Sequence, residues 1–106
     1  MPKFMIKASY TAEGARGLIK EGGTGRRAAV QKLIEGVGGK VESLYFAYGD
    51  ADVYAIVDVP DATSGIALSL AVNASGAVHL TTIPLITAEE MDAASKKSTL
   101  YRAPGA

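Results

Sequence analysis

Ala51–Val59 reads ADVYAIVDV, the most apolar, β-branched and glycine-free run in the chain, with Tyr48-Gly49-Asp50 before it and Pro60-Asp61 after. Val53, Ala55, Val57 and Val59 alternate with Asp52, Tyr54, Ile56 and Asp58. A period of two with β-branched residues marks a strand. One face is wholly aliphatic and suits a covering layer of helices. The other mixes an aromatic ring, an aliphatic side chain and carboxylates, which suits a partly polar surface or an interface. Pro60 ends the run because it has no amide proton for the ladder. Asp61 is placed to cap the next helix. The stretch is therefore expected in the middle of a sheet.

Working outward, Lys40–Tyr48 (KVESLYFAY) reads as the strand before it, joined through a Gly49-Asp50 hairpin turn. Upstream of that, Ala29, Val30, Leu33, Ile34 and Val37 form one apolar stripe of a helix. Thr24 is expected to cap this helix, and Gly38-Gly39 to stop it. Glu21-Gly22-Gly23-Thr24-Gly25 cannot sit inside a helix, since each glycine costs about 1 kcal/mol relative to alanine. It divides the stripe-bearing helix from a shorter one capped by Thr11. Lys3–Tyr10 sets Phe4, Ile6 and Ala8 against Lys3, Met5, Lys7 and Ser9 and is the first strand. Downstream, Asp61 opens a helix with Ile66, Ala67, Leu70, Ala71 and Ala74 at helical spacing. Ser75-Gly76 ends it, and Ala77–Ile86 is the last strand. Thr87 and Glu90 spell a capping box for a final helix reaching Lys97. The tail to Ala106 frays unless a partner holds it.

The order β-α-β-β-α-β plus a C-terminal helix is the ferredoxin-like split βαβ arrangement, an α+β fold on a four-stranded antiparallel sheet. Right-handed crossovers put the first and third strands in the centre. Helices then cover one face, and the other displays Met5, Lys7, Ser9, Tyr54, Ile56 and Asp58. That set is too apolar for water and too polar for an ordinary core. A second copy packed sheet to sheet resolves the conflict, so a homodimer is expected.

Composition narrows the functional classes. A chain of 106 residues predicts one domain spanning residues 1–106. Eleven basic residues balance eleven acidic ones, so no net field steers nucleic acid or an anionic membrane. Aromatic residues are not interleaved with a basic patch. The absence of cysteine excludes disulfides, thiolate catalysis and cysteine-based metal sites. The start MPKFMIKASY alternates and does not read as a signal peptide, and no apolar run approaches the roughly 20 residues of a membrane span. A soluble, cytoplasmic protein without a cofactor is expected.

The stretches GGKVESLYFAYGDADVYAIVDVPD and NASGAVHLTTIPLITAEEMDAA, with LIKEGG and RRAAVQKLIEGVGG upstream, resemble the GYD-domain family. The resemblance covers nearly the whole chain. It implies a ferredoxin-like protein of the dimeric α/β-barrel type, mostly bacterial, with no established biochemical activity. One position departs: the tyrosine of the family's glycine-(spacer)-tyrosine-aspartate signature falls on Ala51, while Gly49 and Asp52 stand. Tyr48 and Tyr54 are the neighbours that could replace it.

Candidate chemistry is sparse. His79 is the only histidine, and imidazole is the one side chain whose ordinary pKa suits proton transfer near neutrality. Beside Asp52, Asp58 or a tyrosine it could act as a general base, although a hydrogen-bonded or half-exposed strand residue explains it as well. A lone histidine among scattered carboxylates predicts no metal site. Tyr10, Tyr45, Tyr48 and Tyr54 fall at or near the first three strands and could line a ligand cavity, or serve only strand packing. Arg26, beside the glycine-rich loop, could hold a phosphate or carboxylate; the loop also reads simply as a break between helices. Three functions follow. The first is a homodimer, or a higher homo-oligomer, that binds a small organic molecule as sensor or carrier. The second is a cofactor-free isomerase or monooxygenase-like enzyme using His79 and tyrosines, and the third a structural assembly subunit.

Overall fold

The computed structural model describes all 106 residues. In chain order the elements are β1 (Lys3–Tyr10), α1 (Ala12–Glu21), α2 (Gly23–Gly36), β2 (Lys40–Phe46), β3 (Val53–Asp58), α3 (Ala62–Ala74), β4 (Val78–Leu85) and α4 (Ala88–Ser95). The strands form one antiparallel sheet in the order β2-β3-β1-β4, so β1 and β3 are central as the pattern predicts. The sheet is open, with β2 and β4 as edges; it does not close into a barrel within one chain.

Register separates the two faces. Phe4, Ile6 and Ala8 stand opposite Val57, Ala55 and Val53 on the helix side. Met5 and Lys7 stand opposite Ile56 and Tyr54 on the other. The core is built on the first set: Ile34, Ala55, Val57, Val59 and Leu68 form one buried cluster, and Ala8, Val53 and Val78 a second. A bulge between Val41 and Ser43 gives β2 one extra residue, Glu42. That shift turns its carboxylate to the open face, where it meets Lys3.

Thr11 caps α1 by accepting the Gly14 amide, and its hydroxyl also reaches the Gly76 and Ala77 carbonyls, 3.0 and 3.2 Å away. The helix start is thereby clamped to the turn before β4. Gly14 is required there, because a Cβ would stand 2.0 Å from the Ala77 carbonyl oxygen. Asp61 and the Thr87–Glu90 capping box open α3 and α4 as expected.

Three expectations are corrected. Gly22, not Thr24, caps α2; Glu21 ends α1, and Gly23, Thr24 and Gly25 lie inside the first turn of α2. With a left-handed φ of 82°, Gly22 alone is the break, C-cap of one helix and N-cap of the next. The β2–β3 connection is longer than a Gly49-Asp50 turn. It spans residues 47–52, because Asp52 is drawn to β1: its amide donates to the Ala8 carbonyl and its carboxylate accepts the Tyr10 amide, both at 2.8 Å. In α3 the buried residues are Gly65 and Leu68, while Ile66 and Leu70 are 60% and 66% exposed. The sequence ATSGIALSLAVNA is apolar nearly all round, so spacing alone does not choose a face. Gly65, sitting over the Phe4 ring, does.

Candidate functional site

On the helix side, α1 and α3 stand apart and leave an open cleft of about 440 Å³. That volume suits a small organic ligand, for which pockets run from about 300 Å³ upward. Tyr10, the last residue of β1, and Arg26 of α2 border it, with Glu13, Leu18 and Glu21 of α1, Leu33 of α2 and Val72 of α3. Gly17 also faces it, with nothing within 4 Å of where a Cβ would be. No packing contact demands glycine at that position, and glycine there costs the helix about 1 kcal/mol relative to alanine.

The polar groups of the cleft are poised rather than paired. Arg26 Nε is buried and has no hydrogen-bond partner, and Arg26 belongs to none of the ion pairs of the chain. Leaving a buried donor unpaired costs about 1–3 kcal/mol, more when it is charged. Tyr10 is half-buried; burial pushes its hydroxyl pKa up, the Arg26 guanidinium beside it pulls it down in part, and Asp52 and Glu21 raise it further. The hydroxyl is therefore a firm donor at neutral pH. The guanidinium is close enough to act on it by charge, without a hydrogen bond of good geometry between them. A second space, between sheet and helices, is only about 50 Å³ and is lined by Phe4, Ile34, Val57 and Leu68 among other apolar side chains. Tyr10, Arg26 and Thr82 line it too, and it has room for a water or two, at about 30 Å³ each.

Of the residues singled out by sequence, Tyr10 and Arg26 come together in this cleft. Asp52 stands behind Tyr10 as its amide's acceptor. The others lie elsewhere. Tyr45 and Tyr54 face each other across β2 and β3 on the open side. Tyr54 donates to Asp50 at 2.9 Å, and Lys7 donates to the other oxygen of that carboxylate at 2.9 Å. These bonds hold the Asp50 carboxyl below its ordinary pKa and push Lys7 and Tyr54 up. Lys3 pairs with Asp58 at 3.0 Å and with Glu42, and its pKa is raised by both. Tyr48 is fully exposed. His79 is exposed opposite Ser9, on the side of the sheet away from the cleft. No three histidine or carboxylate side chains gather as a metal would require.

The GYD-domain model matches residues 4–95. The chain belongs to the GYD-domain family. No curated protein and no solved structure matches it. The matched span of the GYD domain runs from β1 to the end of α4, so every residue of the cleft lies inside it. At the family's tyrosine position, Ala51 is 1% exposed; a phenol there would have to open the loop. Tyr48 points to solvent and Tyr54 to the open face, so neither fills that place. No helix is long and apolar enough to cross a membrane.

Sequence reasoning missed Glu13, Gly17, Leu18 and Glu21 as cleft residues. Gly14 and Gly17, spaced i and i+3 in a short helix, were the available signal. Small residues on one helical face permit either a close approach or an open space, and here one does each.

Proposed function

We propose that this GYD-domain protein is a cytoplasmic homodimer that binds a small organic molecule, as a sensor or carrier, in the cleft between α1, α2 and α3. The observation that carries this reading is the pairing of Arg26 with Tyr10 on the cleft wall, Arg26 standing outside every ion pair of the chain. A guanidinium and a phenol on the wall of one space select an oxygen acceptor, and a carboxylate best of all. Leu18, Leu33 and Val72 offer apolar surface for the body of such a molecule. Glu13 and Glu21 on the same lining disfavour a second negative charge. Binding is favoured over catalysis, because the one histidine faces away from the cleft. The dimer is supported by the open face, where Met5, Ile56, Ile83 and Leu85 are only half-covered by their own chain.

The test is a titration of the ¹⁵N-labelled chain with small aromatic and aliphatic monocarboxylates, each compared with its own amide. Carboxylates are expected to shift the amides of Gly14, Gly17, Arg26 and Val72, and the amides of the series to do so far more weakly. Arg26→Gln should weaken the best carboxylate about tenfold or more, the scale of one charge-assisted hydrogen bond. A series that moves no cleft amide, or that binds both forms equally, rules the reading out.

A further inference from the structure

Every residue from Ile86 to Ala106 is exposed, including Ile86, Met91, Tyr101 and a fully exposed Leu100. Yet α4 within this arm is a formed helix with a reciprocal capping box. A helix of eight residues is marginal in water, where about 12–15 are needed for independent stability. Something must therefore support it. The dimensions of the chain carry the same message. Its radius of gyration is 16.8 Å, against about 13 Å for a compact chain of this length. Its accessible surface is 7297 Å², against about 5,600 Å² for a compact monomer of this mass. The excess of about 1,700 Å² matches what one subunit gives up in an obligate dimer.

The same chain carries a vacant counterpart. A groove of about 330 Å³ runs between α3 and β4, lined by Phe4, Ala62, Ile66, Leu70 and Thr82. Ile66 and Leu70 are the two large apolar residues that α3 turns outward. The groove borders edge strand β4, from whose end the arm departs, and the chain's own arm does not enter it. We propose that the arm of one copy, Ile86–Ala106, docks in the α3–β4 groove of a second copy, and reciprocally. A twofold exchange satisfies both apolar surfaces with one kind of contact, and swapping a terminal element is a low-cost route to a dimer. An unrelated partner would have to fit the arm and leave the groove to another. The arm is long: α4 spans about 12 Å and the eleven residues after it extend up to about 36 Å.

The exchange rests on the dimer proposed above, and the experiment separates the two. The chain has no cysteine, so Ala103→Cys accepts a single nitroxide while leaving Leu100 and Tyr101 in place. Nitroxide-bearing chain at natural isotope abundance is mixed with unmodified ¹⁵N chain, so that only contacts between copies are read. The amides of Ile66, Ser69 and Leu70 are expected to broaden strongly and to recover when the nitroxide is reduced. Broadening only when label and isotope share one chain would mean that the arm folds back on its own α3, and would overturn the exchange. No broadening at α3 in either sample would overturn it too, by leaving the arm to some other surface. Sedimentation of the same samples tells which idea has failed: a dimer without broadening discards the arm alone, a micromolar monomer discards both. As a second variant, Leu100→Ser with Tyr101→Ser should raise the dimer dissociation constant about tenfold or more, the effect of losing central apolar anchors. An unchanged constant contradicts the proposal.

Discussion

The two faces of the sheet come from the same four strands and end in opposite conditions. Toward the helices, Val53, Ala55 and Val57 are buried within their own chain. Toward the other side, Tyr54 and Ile56 stay half-exposed, and Asp58 is buried and paired with Lys3. The first face is completed by helices that the chain itself supplies. The second holds charges in pairs between patches of aliphatic surface, as a surface awaiting a partner does. If the proposed dimer forms on this face, neighbouring residues of one strand serve stability and assembly separately, and substitutions one position apart should separate those roles.

The largest effect is expected at Val57 and Ile56. Val57→Asp places an unpaired carboxylate in the main core, beside Ile34 and Leu68, and should abolish folding, because the total stability of such a chain is only about 5–15 kcal/mol. Ile56→Asp should leave the far-ultraviolet circular dichroism spectrum intact and convert the dimer to a monomer in sedimentation. If both variants unfold, the open face is part of the monomer's own core and the contrast is false.

A smaller effect sharpens the comparison inside α1, where two glycines three residues apart play opposite parts. Gly14→Ala collides with the Ala77 carbonyl and should cost about 1–3 kcal/mol in denaturant unfolding, the range for overpacking. Gly17→Ala meets nothing and should gain up to about 1 kcal/mol from helix propensity. Gly17→Leu should keep the fold and block carboxylate binding by filling the cleft. Equal destabilisation by both alanine variants would mean that α1 packs more closely than the open cleft allows.

How far the sequence reached follows the same physics. Alternation and caps are local, so β1, β3, the Thr11, Asp61 and Thr87 caps and the strand order were legible. What a non-local contact decides was not. The face of α3 is chosen by Gly65 above Phe4, and the long β2–β3 loop by Asp52 reaching across to β1. In the candidate site, Tyr10 and Arg26 could be named as residue types of interest. Their meeting depended on the left-handed turn at Gly22, which sets α2 against α1. His79 and Tyr45 carried the same chemical promise, but strand parity sent them to the other face.

The smallest expected effect concerns pH and the paired charges of the open face. Asp50 is held below its ordinary carboxyl pKa by Lys7 and then by Tyr54. A lowered folded pKa adds stability that is present above the unfolded value, about 3.9, and is lost as pH falls through the folded one. Lys7 is raised by Asp50, so its contribution is complete below the unfolded value of about 10.4 and is lost only as pH rises beyond it. Between these limits neither group changes charge in either state, so the pair adds no slope to melting temperature against pH. Exposed pairs contribute little in any case, and Asp50→Asn should barely move the melting temperature at pH 7 while making the acid limb shallower. If this substitution instead dissociates the dimer at neutral pH, the Lys7–Asp50–Tyr54 cluster is a contact between copies, and the polar part of the open face belongs to assembly as fully as Ile56 does.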